Sequence, residues 1–254
     1  MTILPPQSAG DVAAETIGSS AMRKLVAGMA LLAAAPVMAQ EVEPDGPDIV
    51  VTAGKPLNLD AKVLRAGQRR FVGDRAELAP NGALRFELWR GGGRIPATTV
   101  PITLRNDAGE TVPVTVDGEG RIAFGDLPRG RWFLTAPAQS QGMSLRPIVL
   151  STGTTPTDRR LGDLRLQCRV MLSMAKAQAS LLAMPLMGLL DAIGGCESKR
   201  VHAFNRAERT LASATAMTSS GTQALEISKR GNAYLAPLAD RTLGNEVRVK
   251  IVYR

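Results

Sequence analysis

The segment from Cys168 to Cys196 constrains the fold of this chain more than any other. It contains both cysteines of the 254-residue sequence, and its composition favours a helix. An unbroken helix between the two cysteines would extend about 42 Å, at ~1.5 Å per residue. A disulfide needs the two Cα atoms within about 7 Å of each other. If the cysteines are bridged, the chain therefore doubles back between them, and we expect the turn at the helix-breaking Pro185.

The N-terminal region has the pattern of a secretory signal peptide. A short basic region at 22–24 precedes an apolar run at 25–36, and Val37 and Ala39 stand just before Gln40. Signal peptidase reads small residues at those two positions, so we expect cleavage before Gln40. The pattern begins at Met22, which we take as the true start. The mature protein is therefore expected in the periplasm or outside the cell.

Export would place both cysteines in an oxidising compartment, where a Cys168–Cys196 disulfide is expected. The apolar run between the cysteines covers residues 181–190. Because a membrane span needs roughly 20 apolar residues, this run fits a buried helix better. Extending it towards the N-terminus brings in Lys176, which is costly at a bilayer centre. We predict a helical hairpin, and no transmembrane span in the mature chain.

Residues 80–150 have the pattern of short strands separated by turns. Apolar and polar residues alternate, and turn signals recur about every 8–12 residues, which favours a β-sandwich. Pro113 places its strand at a sheet edge. The pattern over 56–80 is mixed and supports no assignment. The predicted strands cover residues 84–88, 100–104, 112–116, 121–124, 131–136 and 144–150.

The C-terminal region is predicted to contain a short helix followed by strands. A hairpin is expected between 224–228 and 233–235. Residues 247–253 alternate apolar with mostly basic side chains, which is typical of a half-buried strand at or near a sheet edge. The residues spaced for one face of the predicted helix are Phe204, Ala207, Leu211 and Ala214.

These patterns predict a β-rich α+β fold in four parts. Residues 1–39 are the signal peptide, and residues 40–56 are a flexible acidic leader. Residues 57–166 form the β-sandwich, and residues 167–254 hold the helical hairpin and a C-terminal α/β segment packed on the same core. The net charge of +8 comes from arginines scattered along the chain, which indicates a solvated surface and no nucleic-acid partner.

Residues 100–136 carry a resemblance to a known family. They contain Asp117-Gly-Glu-Gly-Arg-Ile-Ala-Phe124 and then Leu127-Pro-Arg-Gly-Arg-Trp-Phe-Leu134. This run resembles the carboxypeptidase regulatory-like, transthyretin-like β-sandwich family, with Ile122 at the first aromatic position of its motif and Trp132 at the last. The resemblance implies a transthyretin-like or Ig-like sandwich that serves as an accessory or binding module. It implies no catalytic residues.

A second, shorter resemblance lies in the leader. The hexapeptide 48–53 resembles the TonB box of outer-membrane transporters, which binds its partner by adding a strand to a sheet edge. An ordinary first strand is the alternative interpretation. The residues that would dock to a TonB-type protein are Ile49, Val50, Val51 and Thr52.

Few residues in the chain are suited to catalysis. The single histidine, His202, excludes metal sites built from several histidines. Ser173-Met-Ala-Lys176 matches the S-x-x-K pair of penicillin-interacting serine enzymes, in which the serine is the nucleophile. The companion S-D-N and K-T-G motifs are absent from the sequence. Ser173 and Lys176 therefore define the alternative enzymatic hypothesis, a serine acyl-transfer hydrolase or transpeptidase.

Methionine spacing offers one metal hypothesis. Thioethers bind copper(I), a soft metal, and pairs three residues apart lie on one helix face. Core packing is the other interpretation, because methionine fills irregular gaps. The four residues are Met171, Met174, Met184 and Met187.

Taken together, the sequence predicts an exported, non-enzymatic accessory or ligand-binding module of a Gram-negative cell envelope. We expect no cofactor. The partners favoured are another envelope protein and the anionic envelope surface. Docking within the TonB system and serine acyl transfer are the two alternatives.

Overall fold

The structure, a computed structural model, describes residues 56–137, 142–180, 188, 195–199 and 203–254. These residues form fifteen β-strands in antiparallel sheets and two α-helices, which confirms the β-rich α+β class. No helix in the described ranges is both long enough and apolar enough to cross a membrane.

The first helix occupies the region to which the sequence pattern gave no assignment. Helix α1 spans Ala61–Leu78. The carboxylate of Asp60 caps its N-terminus by accepting the Lys62 backbone N–H at 2.8 Å, which satisfies one of the unpaired N–H groups of the first turn. Pro80 follows its C-terminus, because proline cannot continue a helix. Val63, Leu64, Phe71 and Leu78 of α1 are buried in one core with both neighbouring sheets.

Two antiparallel sheets contain the predicted strands. In the first sheet the order is β1 (Asn58–Asp60), β8 (Trp132–Thr135), β4 (Thr103–Asn106) and β5 (Thr111–Pro113). In the second it is β3 (Gly93–Ile95), β2 (Gly82–Arg90), β7 (Ile122–Ala123) and β6 (Thr115–Val116), and β9 (Met143–Ser151) pairs with β2 along its whole length. Each of the six predicted strand regions overlaps a strand. The region 100–104 overlaps β4 only at Thr103 and Leu104, and the region 112–116 is divided between β5 and β6. The prediction that Pro113 stands at a sheet edge is confirmed.

The second helix lies between two hydrophobic cores. Helix α2 spans Leu161–Gln178 and has two apolar faces. Leu166, Val170 and Met174, spaced four residues apart, pack with α1 and the two sheets above. Leu161, Leu164 and Cys168 pack with the C-terminal strands. Helix α2 therefore forms a layer between the two sets of strands.

The C-terminal strands correct one prediction. One sheet has the order β10 (Asp158–Arg160), β15 (Arg248–Tyr253), β12 (Leu211–Thr218) and β13 (Gly221–Ala224), and β11 (Phe204–Arg206) pairs with β14 (Ala233–Leu235). The helix predicted through Phe204, Ala207, Leu211 and Ala214 is wrong, because β11 and β12 cover most of that stretch. A β-bulge after Leu211 shifts the burial pattern by one residue, which imitates helical spacing.

The final strand is half-buried and lies near a sheet edge, as predicted. β15 lies between β12 and the three-residue edge strand β10. Val249 and Ile251 are buried while Lys250 and Val252 are exposed, so one side of the strand faces solvent.

The predicted disulfide is confirmed. Cys168 and Cys196 are bonded, with their Cα atoms 5.9 Å apart. Cys168 lies within α2, and Cys196 lies in a short 3₁₀ helix, Gly195–Glu197. Helix α2 begins at Leu161, earlier than the predicted segment, and ends before Pro185 is reached. Pro185 itself, where the turn of the hairpin was predicted, lies outside the described residues.

Candidate functional site

A large open groove lies beside α1. Its volume is about 1520 Å³, and it runs between α1, the start of β2 and the loop 124–129. We call it the basic groove, because arginines from all three elements line it. These are Arg65, Arg69 and Arg75 from α1, Arg85 from β2 and Arg129 from the loop.

The loop 124–129, which forms one wall of the groove, is held in place by hydrogen bonds from α1. Arg65 donates through Nη1 to the Pro128 carbonyl and through Nη2 to the Gly130 carbonyl, both at 2.8 Å. Gln68 Nε2 donates to the Gly125 carbonyl at 2.9 Å. Because a loop with its carbonyls paired in this way has few alternative positions, the groove is preformed.

The charge of the basic groove is poorly balanced. Within the described residues, Arg65, Arg69 and Arg129 form no ion pair with a carboxylate. Arg85 does have a partner, Asp117, at 3.7 Å. Asp126 is the one carboxylate among the residues lining the groove. Arginines that lack an internal counterion favour an anionic ligand, since the guanidinium stays charged at all physiological pH values.

The floor of the groove is apolar. Phe86 and Phe124 meet there edge to face, with ring centroids 5.1 Å apart. Phe71 lies under the guanidinium of Arg75, which is 5.9 Å from the ring centroid. Val72 is 73% exposed, the most exposed large apolar side chain described. The groove therefore offers both cationic and apolar contacts.

A network of buried charges holds the start of α2. The Asp163 carboxylate is fully buried and accepts the Ser151 hydroxyl at 2.6 Å and the Ser151 N–H at 3.0 Å. Arg160 donates to the same hydroxyl at 2.9 Å and pairs with Glu246. Because each charge is hydrogen-bonded within the fold, this network is structural.

A second buried arginine clamps a loop. Arg165 donates to the backbone carbonyls of Leu238, Asp240 and Leu243, at 3.1, 2.6 and 3.0 Å, and to the Asn245 side chain at 2.8 Å. Burial lowers the pKa of Arg165 from its ordinary value. Its donors are committed to the loop, so it is not available to a ligand.

The proposed nucleophile lies at the contact between the two helices. The Ser173 hydroxyl, which is half-buried, donates to the Ala66 carbonyl at 3.1 Å. Lys176 is half-buried one turn further along α2. The acyl-transfer hypothesis stays a prediction. Its test is covalent labelling by a fluorescent penicillin, which must be lost in Ser173→Ala.

The methionines proposed for copper(I) are only partly within the described residues. Met174 is fully buried against Gly67 of α1, and Met171 lines a small interior cavity. Met184 and Met187 lie outside the described residues, so a four-methionine site stays a prediction. No group of three or more His, Cys, Asp or Glu within the described ranges is placed to hold a metal ion.

The N-terminal predictions also fall outside the described residues. These are the signal peptide, the cleavage before Gln40 and the TonB-box-like residues from Ile49 to Thr52. His202 lies outside them as well.

Sequence reasoning did not identify the basic groove. It treated Arg65, Arg69 and Arg85 as scattered surface charges, since nothing in the sequence brings them together. A helix assignment for 61–78 would have placed Arg65 and Arg69 on neighbouring turns of one face, and that was the one available signal.

Comparisons with protein-family models, with curated proteins and with solved structures found no match to this chain. The fold and the groove themselves define a class. It is a β-rich α+β protein with one disulfide and a preformed basic groove.

Proposed function

We propose that this protein is an exported, non-enzymatic accessory module of the cell envelope. We further propose that its basic groove binds an acidic segment of another envelope protein. The observation that carries the proposal is the composition of the groove, in which exposed arginines without a carboxylate partner, Arg69 and Arg129, lie beside an apolar floor.

An acidic polypeptide segment fits this groove better than a small anionic molecule does. The volume of about 1520 Å³ exceeds the ~300–1,000 Å³ of typical small-molecule pockets. Carboxylates would pair with Arg69 and Arg129, and apolar side chains would rest on the half-buried Phe124 and the exposed Val72.

The module itself is proposed to be a transthyretin-like sandwich of the carboxypeptidase regulatory-like type. Residues 100–136, which carry the family resemblance, supply β4 to β8 of the two sheets. Leu104, Ile122 and Leu134 from these strands are buried in one core, as the facing sheets of a sandwich require.

Export is supported by the disulfide and by the signal-peptide pattern. A disulfide persists in oxidising compartments and is rare in the cytosol. We expect a mature N-terminus at Gln40 and release of the protein by osmotic shock. Intact-mass measurement of the released protein tests both, and a cytoplasmic species that retains Met22 would contradict them.

The binding proposal is tested with a fluorescent peptide in which Glu alternates with Val. Arg69→Glu combined with Arg129→Glu should weaken binding about tenfold or more, because each change replaces an attraction with a repulsion. Wild-type binding should also weaken as salt is raised. The matched control is Arg105→Glu, an exposed arginine on β4 outside the groove, which should leave binding unchanged.

Two results would contradict the proposal. One is peptide affinity that is equal in the wild type and in the double variant. The other is binding to phosphatidylglycerol vesicles, with no binding to the peptide, since that would assign the groove to the lipid surface.

A further inference from the structure

A second, interior cavity lies between β2 and β9 on one side and the C-terminal strands on the other. Two adjoining spaces of about 60 and about 30 Å³ share most of their lining, including Glu87, Trp89, Arg159 and Gln167. A water molecule needs roughly 10–15 Å³ by this measure, so the larger space accommodates a group the size of a few waters. We call this the Arg159 cavity.

Arg159 is buried there without a counterion. It is 5% exposed, and its Nη2 donates to the Val149 carbonyl at 2.7 Å and to Gln167 Oε1 at 2.9 Å. Its buried Nε has no hydrogen-bond partner, and within the described residues no carboxylate forms an ion pair with it. Burial lowers the pKa of Arg159. Arginine nevertheless stays protonated in proteins, so the positive charge remains.

The carboxylates that line the cavity are already engaged. Glu87 accepts from Arg121 Nε at 3.1 Å and from Trp89 Nε1 at 3.2 Å. Glu208 is 3.5 Å from Arg94, which also lies 3.3 Å from Glu87. Neither carboxylate is therefore available to neutralise Arg159.

The rest of the lining adds positive charge and hydrogen-bonding groups. Arg146 stacks on Trp89, 4.8 Å from the ring centroid, and Arg206 is half-buried at the edge of the cavity. Gln167 and Asn205 bring polar side chains. Leaving a buried charge uncompensated costs several kcal/mol, so a fold that keeps this arrangement favours an anion beside it.

We infer that the Arg159 cavity binds one small oxyanion, inorganic phosphate or a small carboxylate, through the guanidinium of Arg159. The unpaired Nε–H of Arg159 can donate a charge-assisted hydrogen bond to one oxygen of a carboxylate or phosphate, while Nη2 keeps its bonds to Val149 and Gln167. This site is separate from the basic groove, so evidence for or against peptide binding does not affect it.

Thermal unfolding tests the inference. The melting temperature of the wild type should rise and then saturate as phosphate or acetate replaces chloride at constant ionic strength. The saturable part should vanish in Arg159→Met, which keeps the length of the side chain without its charge. Arg105→Met, an exposed arginine, is the matched control and should keep it. Any general salting effect of phosphate is common to all three proteins and cancels in the comparison.

The two anion series separate the sources. Saturation with phosphate alone would assign a phosphate site, and saturation with acetate alone would assign a carboxylate site. A wild-type melting temperature that does not change when either oxyanion replaces chloride would overturn the oxyanion assignment. A wild-type response identical to that of Arg159→Met would overturn the site itself.

A second measurement keeps Arg159 in place and so does not depend on the folding of Arg159→Met. Trp89 lines the cavity and Trp132, the other tryptophan, lies on β8 away from it, so Trp132→Phe leaves Trp89 as the sole reporter. Titration with the effective oxyanion should change its fluorescence at the concentration that raises the melting temperature. Crystals soaked in selenate should show anomalous density within hydrogen-bonding distance of Arg159. Density only on the outer surface would refute the inference.

Discussion

Gly162→Ala should destabilise this protein strongly, although the residue lies in a helix where alanine is ordinarily preferred. A Cβ at Gly162 would lie 2.1 Å from the Leu78 carbonyl oxygen and 2.8 Å from the Cβ of Asn245. The carbonyl belongs to the last residue of α1, so it cannot rotate away as a side chain can. The start of α2 must therefore move away from α1, by about 1 Å or more, to reach ordinary contact distances.

That movement affects the hydrogen bonds that begin α2. The Gly162 N–H donates to the Asn245 carbonyl at 3.0 Å, and the Leu161 N–H donates to the Val247 carbonyl at 2.8 Å. Overpacking costs typically ~1–3 kcal/mol, and each weakened hydrogen bond costs about 1 more. Better helix propensity returns at most ~1 kcal/mol. We expect a net loss of about 2–4 kcal/mol, which is roughly 5–12 °C in melting temperature for a domain of this size.

Two other helical glycines make matched controls for this prediction. Gly73 in α1 has no atom within 4 Å of an added Cβ, so Gly73→Ala should stabilise the protein by about 0.5–1 kcal/mol. Gly67→Ala would meet Cγ and Sδ of Met174, at 2.8 and 2.9 Å, and a flexible thioether can partly adjust. Chemical denaturation should therefore rank the three variants Gly73, Gly67, Gly162 in decreasing stability. A Gly162→Ala variant as stable as the wild type would refute the close approach of the two helices.

Three further perturbations have expected outcomes. Replacing Cys168 and Cys196 by serine opens a loop with a sequence separation of 28, which should cost about 3–4 kcal/mol, measured by denaturation with and without reductant. Asp163→Ala leaves the buried Ser151 N–H without its acceptor and removes one of the two carboxylates beside Arg160, so it should cost about 3–5 kcal/mol, seen as a lowered denaturation midpoint. The hydrogen bond from Arg248 lowers the pKa of Asp158 in the folded protein. The pair therefore stabilises the fold fully above about pH 4, which is the pKa of an aspartate in the unfolded chain. This stabilisation is lost as the pH falls through the lower pKa of the folded state. The stability difference between the wild type and Asp158→Asn should therefore shrink on acidification, and a difference that does not vary with pH would contradict the assignment.

The parts of the fold that were predictable are those whose cause is local in sequence. Alternation and turn residues placed the strands between residues 80 and 150, and the presence of two cysteines in a chain expected to be exported predicted their bond. Helix α1 escaped notice because arginines and glycines interrupt its apolar positions. Leu211 and Ala214 suggested a helix because the bulge in β12 places these two buried side chains three residues apart, where a regular strand places them two apart.

The start of α2 was not predictable for a different reason. Arg160 provides no side-chain cap there, and the first N–H groups of the helix are paired instead by carbonyls from the loop before β15. A cap of this kind is made by residues more than eighty positions away, so no window of local sequence reports it. The same holds for the basic groove, whose arginines become neighbours only when α1, β2 and the loop 124–129 are packed together.

Helix α2 explains why strands on both sides belong to one fold. One face of the helix completes the first core with Leu166, Val170 and Met174. The opposite face completes the second core with Leu164 and Cys168. Neither core is closed without the helix, so each set of strands depends on the same eighteen residues for its burial. The disulfide joins the second face to the short helix at Cys196, and the buried carboxylate of α2 joins its first turn to β9. The walls of both cavities therefore depend on α2. The basic groove depends on it through the contact of α2 with α1. The Arg159 cavity depends on it through Gln167, which is part of α2.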